Sequence, residues 1–243
     1  MAKRPDDTEE ILAGITSDYR AAFSNELTAI ILYGSAAGAD YIPGKSDINL
    51  LIVLTDRGIA QLRKAIAPVI RWRKRNVATP LFMTKAYLDS SLDSYPVEFL
   101  IMKQNHRTLF GEDVLAELTF DPKDIRLQIE RELKGKLLLL RSGFLETEGM
   151  PKRLRGLIAV SLNAFIAAFK ALLYLKGQDI PRSRRDVVEA AAKSLKMNPD
   201  VFLKCNDIKE ETDRFTRAEV QAIFDDYLQA ANDLCRYVDT MEV

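Results

Sequence analysis

Apolar positions along this chain change their period near its middle. Residues 8–24 place Ile11, Leu12, Ile15, Tyr19 and Phe23 at helical spacing, with Asp7 or Thr8 available to cap the first turn. LTAIILY (27–33) then reads as a strand, and DINLLIVL (47–54) as a strand buried on both faces. Helical spacing returns over 58–75 and briefly over 85–92. TPLFMT (79–84) and PVEFLIMK (96–103) are the two remaining strand predictions, the second set off by the turn signal Asp93-Ser94-Tyr95-Pro96. Four strands are therefore expected, the last ending near residue 103.

From about residue 111 strand signals cease. Four helical patterns cover 122–145, 152–176, 184–196 and 216–240, with Pro122, Pro151, Pro181 and Pro199 near their boundaries, where proline is tolerated. The second is apolar nearly all round, which suits the central helix of a bundle. Ser161, Asn163 and Lys170 interrupt it short of the roughly 20 apolar residues a bilayer needs. No internal repeat or low-complexity tract is present, and the change of period predicts two domains, 1–120 and 121–243.

Composition narrows the partners. Thirty-five basic residues balance thirty-five acidic ones, so no long-range field favours nucleic acid or an anionic membrane. The two cysteines, Cys205 and Cys235, have no metal-binding or redox spacing and read as reduced core residues. MAKRPDDTEE has no apolar h-region, so nothing signals export and a cytoplasmic protein is expected.

The chemistry-bearing pattern lies in the first half. A strand leads into Gly34-Ser35, eleven residues intervene, Asp47-Ile48-Asn49 opens the next strand, and Glu98 follows on a later segment. Glycine lets backbone N–H groups approach a phosphate closely, and the serine hydroxyl adds a donor. Strand alternation projects Asp47 and Asn49 to one side, and Glu98 joins them if its strand is a neighbour. Lys45 and Ser46, just ahead of Asp47, are candidates for phosphate contact, with a solvated turn the plainer reading of the lysine.

This order of Gly-Ser loop, Asp-x-Asp-like strand and later carboxylate resembles the DNA polymerase β-like nucleotidyltransferase superfamily. The segment FKALLYLKGQDIPRSRRDVVEAA (169–191) resembles the helical domains of small bacterial nucleotidyltransferases, aminoglycoside-modifying enzymes among them, and of HEPN-type bundles. The resemblance implies an α+β protein, a small mixed-sheet nucleotidyltransferase domain followed by an all-α helical bundle. It implies two magnesium ions (Mg2+) held by Asp47, Asn49 and Glu98, with Asp47 and Glu98 catalytic and a nucleoside triphosphate over Gly34, Ser35, Lys45 and Ser46. The reaction implied is transfer of a nucleotide monophosphate to a hydroxyl of a small molecule or a protein. Asn49 departs from the pattern, which has a second carboxylate there, so a catalytically degenerate nucleotide-binding or protein-interaction module is the alternative.

Competing readings are weaker. Gly38 through Gly44-Lys45-Ser46 nearly spells a P-loop, but its spacer is one residue too long and a strand follows where a helix should. HEPN ribonucleases need a histidine soon after an arginine, and none follows Arg182, Arg184 or Arg185. His106, the only histidine, reads as a cap or packing residue, and Tyr33 and Trp72 read as core rather than as base-stacking platforms.

Overall fold

The computed structural model describes residues 6–38, 41 and 46–243. They form two compact units, Met1–Phe120 and Asp121–Val243.

In the first unit α1 (Asp6–Phe23) precedes β1 (Leu27–Tyr33), and β2 (Asn49–Leu54) returns antiparallel to it, pairing Tyr33 with Asn49. The sheet order is β3-β2-β1-β4, with β3 (Leu81–Met83) parallel to β2 and β4 (His106–Gly111) antiparallel to β1. The sheet is thus mixed. Ile30, Leu32, Ile48, Leu50, Ile52 and Leu54 share one core with Ile11, Leu12, Ile15, Tyr19 and Phe23 of α1. Ile31, Leu51 and Val53, on the opposite face by alternation, are equally buried, which is why these strands read as continuous apolar runs.

Two expectations fail here. Residues 58–75 do not form one helix: α2 (Asp56–Ala60), a 3-10 turn (Leu62–Ala65) and α3 (Ile66–Arg73) succeed one another. Pro68 lies in the first turn of α3, and an unbroken helix would have put its missing N–H and its ring against the preceding turn. The second failure is PVEFLIMK, which is not a strand. After α4 (Lys85–Ser90) it lies within helix α5 (Pro96–Gln104), with Pro96 in the first turn. Its buried pairs Val97 and Leu100, and Phe99 and Met102, recur at a spacing of three, as one face of a helix does. The fourth strand is instead HRTLFG, 106–111.

The second unit is all helical: α6 (Pro122–Glu146), α7 (Pro151–Leu175), α8 (Arg184–Leu195), α9 (Asp200–Glu210) and α10 (Arg217–Asp239). α9 was not among the predicted helices. It turns Phe202, Cys205 and Ile208 into the bundle. α7 is the central helix, in contact with the other four, and it buries Leu162, Phe165 and Phe169. Phe165, Phe202 and Tyr227 meet edge to face or tilted, with ring centroids 5.2 to 5.8 Å apart, a geometry that aromatic quadrupoles favour.

Candidate functional site

The site is built at the end of the sheet where β1 stops. Gly34 turns the chain at φ +77°, a left-handed conformation that favours glycine, and the 3-10 turn Gly34–Ala37 follows. Asn105, in the corner between α5 and β4, holds this loop at its first residue and packs beside its far end. Its carbonyl accepts from the Gly34 N–H at 3.0 Å, and a Cβ on Gly38 would lie 2.8 Å from its side-chain nitrogen. Within the loop the Gly38 N–H donates to the Ser35 carbonyl at 3.1 Å.

Tyr33 pairs with Asn49 on one side and His106 on the other, so the three side chains form a row on one face of the sheet. The first pairing sets the Asn49 amide beside the loop: a Cβ on Gly34 would lie 3.6 Å from Asn49 Nδ2. Ile48 bridges to Val77 and is fully buried, so the alternation extends one residue before β2, with Asp47 on the Asn49 side. Asp47 is exposed, and Asn49 and Ser46 are half-buried. Gly34, Ser35, Asp47 and Asn49 therefore gather at one edge of the sheet. Lys45, with the Pro43-Gly44 turn, lies outside the described residues.

Glu98 is differently placed from what the sequence predicted. It sits exposed in the first turn of α5, so the adjacency of strands that was to bring it beside Asp47 does not exist. β3, the strand that does flank β2, carries Leu81, Phe82 and Met83, none of which ligates a metal through oxygen. Among the described residues no group of three histidine, cysteine, aspartate or glutamate side chains is placed to hold a metal. One carboxylate and one amide oxygen suit a single magnesium ion that has phosphates and water as its other ligands, not a two-ion centre.

His106 is a brace. Its Nδ1 lies 2.8 Å from the Lys103 carbonyl and its Nε2 3.0 Å from both Asp113 oxygens, so both ring nitrogens face acceptors and neither is available to a substrate. Burial alone would raise the Asp113 carboxyl, but the hydrogen bond and charge of His106 and the Leu115 and Ala116 N–H groups together bring it below its ordinary range. Tyr33 is pushed the other way, its phenol raised by burial.

The other aromatic and basic candidates have structural partners. Trp72 donates its indole N–H to Asp18 at 2.8 Å, tying α3 to α1. Arg184 and Arg185 pair with Glu210 and Asp207 of α9 at 3.7 and 2.9 Å. Asn105 was missed by sequence reasoning, because its contacts with Gly34 and Gly38 span about seventy residues and leave no local pattern.

A small mixed four-stranded sheet followed by an all-helical unit is an α+β architecture. A solved structure with the same fold is "spectinomycin adenyltransferase AAD(9) from Enterococcus faecialis with ATP and spectinomycin": TM-score 0.54, 13% sequence identity, 93% of this chain and 99% of that chain covered. At that identity the likeness is one of fold. No protein-family model matches the sequence, and no curated protein matches it.

Proposed function

We propose that this protein is a nucleotidyltransferase that seats a nucleoside triphosphate against the Gly34–Ser35 loop and transfers its nucleotide monophosphate to a hydroxyl of a small molecule or protein. The observation that carries the reading is the loop itself: a left-handed glycine fixed by Asn105, with Asn49 beside it and Asp47 two residues before. Backbone N–H groups and the Ser35 hydroxyl bind the phosphates. Lys45 and Ser46 are assigned to the same phosphates from their place in the sequence.

In this reaction the acceptor oxygen bonds to the α-phosphorus and the bond to pyrophosphate breaks. Asp47 and Asn49 are the protein ligands of a magnesium ion that offsets phosphate charge when bound. Glu98 is the carboxylate assigned to take the acceptor's proton, a role that rests on the family resemblance. The neighbour of the same fold is described with ATP and spectinomycin, which supports a small-molecule acceptor.

A second reading, nucleotide binding without turnover, is favoured by Asn49 and by the absence of a three-ligand acidic group among the described residues. Calorimetric titration with each nucleoside triphosphate, with and without magnesium, separates the readings when run on the natural protein and on Asn49→Asp. Metal-dependent binding that tightens in the variant supports the site, and transfer activity abolished by Asp47→Ala supports catalysis. If neither protein binds any nucleotide, both readings fail.

A further inference from the structure

The helical unit carries two surfaces of opposite character, both left open. The first is a ridge on α6. Leu127, Leu138 and Leu145 are 59%, 64% and 75% exposed. Offsets of eleven and eighteen residues place them within about 20° of one another around the helix, along about 27 Å of its length. Arg131 and Arg141 stand on the same exposed side, and neither makes an ion pair among the described residues. The ridge is therefore apolar with a basic flank.

The second surface is a groove of about 580 Å³ between α9 and α10, with Val201, Ile223 and Leu234 among its apolar walls. Asp226, Gln229, Asp233 and Tyr237 line it from α10 at spacings of three, four and four residues, one stripe of that helix. Asp200 faces the groove from α9, and Lys204 is the one cation on its rim. Among the described residues Asp200, Asp226 and Asp233 make no ion pair, and Asp233 accepts only from the Gln229 amide, at 2.9 and 3.0 Å.

We propose that a second copy of this chain covers both surfaces, the α6 ridge of each copy seated in the α9–α10 groove of the other. Charge complementarity selects this occupant. Ridge against ridge opposes arginines to arginines, and groove against groove opposes aspartates to aspartates, whereas ridge in groove pairs Arg131 and Arg141 with Asp226 and Asp233 while burying the leucines. α10 makes reciprocal closure feasible, because it packs against α6 through Arg126 with the Val238 carbonyl and Lys134 with Asp239 and also forms one wall of the groove. A two-fold dimer has this form, with residue i of one copy meeting residue j of the other and the reverse.

Sedimentation of the full chain across a concentration range tests it. A monomer–dimer equilibrium that weakens with salt is expected, since its selecting contacts are charged and near the surface. Arg131→Glu with Arg141→Glu, and separately Asp226→Lys with Asp233→Lys, should each leave a monomer with unchanged far-ultraviolet dichroism. An equimolar mixture of the two variants should dimerise, because each variant's ridge then meets a groove of opposite sign. A natural protein that stays monomeric at every concentration overturns the proposal, and so does a dimer that either double variant leaves intact. Flotation with phosphatidylserine vesicles of a chain that remains monomeric would assign the leucine ridge to a membrane surface and overturn it as well.

Discussion

Gly34 and Gly111 make an internal control, because their backbones are alike and their surroundings are not. Their φ angles are +77° and +76°, so an alanine at either position bears the same left-handed strain, about 1 to 2 kcal/mol. At Gly34 the added methyl meets only the Asn49 amide at 3.6 Å, an ordinary contact. At Gly111 it falls 1.9 Å from the Thr28 carbonyl oxygen, 2.9 Å from that carbonyl carbon and 3.1 Å from Ala29 Cα. All three atoms are backbone, so no side chain can rotate away, and the Ala29–Gly111 pair that closes the β1–β4 ladder must separate.

Overpacking of this kind costs about 1 to 3 kcal/mol, and each ladder hydrogen bond lost adds about 1 kcal/mol. Gly34→Ala should thus destabilise by about 1.5 kcal/mol and Gly111→Ala by about 4 kcal/mol. Urea unfolding followed by the fluorescence of Trp72, the only tryptophan, reports on the first unit. With a urea slope of about 1 to 3 kcal/mol per molar, the Gly111→Ala midpoint should fall by about 1 M more than that of Gly34→Ala. Equal midpoint shifts would refute the steric argument and leave backbone strain as the whole effect.

Two further outcomes follow from packing. Gly14→Ala gains roughly 0.5 to 1 kcal/mol of helix preference. Its Cβ, however, would lie 2.5 and 2.8 Å from ring carbons of Trp72, which the Asp18 hydrogen bond holds in place, so the variant should unfold at lower urea, and a higher midpoint would sink this account. Tyr227 is wholly buried and its phenol is raised well above its ordinary value by that burial, a shift only partly offset by the hydrogen bond with Ser161 at 3.1 Å. Because the folded state disfavours the phenolate, the associated stability is complete below the ordinary tyrosine value of 10.0 and is lost as pH rises above it. Tyr227→Phe should cost about 1 kcal/mol at neutral pH and make the alkaline fall in stability shallower by up to about 1.4 kcal/mol per pH unit. Parallel pH profiles in thermal melts of the two proteins would contradict it.

What was legible in the sequence was whatever a local period controls. LTAIILY became β1 over the predicted residues because buried strands admit unbroken apolar runs, and the long amphipathic segments of the second half became helices within a residue or two at most boundaries. PVEFLIMK misled because eight mostly apolar residues fit a buried strand and a buried helix equally, and periodicity over so short a run does not separate them. HRTLFG was obscured for the opposite reason. As a strand with no neighbour on its outer side among the described residues, it carries polar residues and shows no strict alternation. The Gly34 loop and the Asp47–Asn49 alternation were readable because they are local, whereas the Asn105 brace was not.

That brace bears on the chemistry. Asn105 and His106 are consecutive, and one accepts from the Gly34 N–H and packs beside Gly38 while the other, held by Lys103 and Asp113, fixes the start of the strand that follows Asn105. In the proposed function the backbone assigned to the phosphates would therefore be set before the ligand arrives, and a preorganised cradle binds with a smaller ordering penalty. On the side proposed for the metal, Asp47 is exposed and Asn49 supplies an amide where a carboxylate would supply charge. Binding and transfer should accordingly separate under mutation. Gly38→Ala, which pushes the Asn105 side chain, should weaken nucleotide affinity with and without magnesium alike, whereas Asn49→Asp should change only the magnesium-dependent part. A Gly38→Ala variant with natural affinity would show that the loop takes its shape from something other than Asn105.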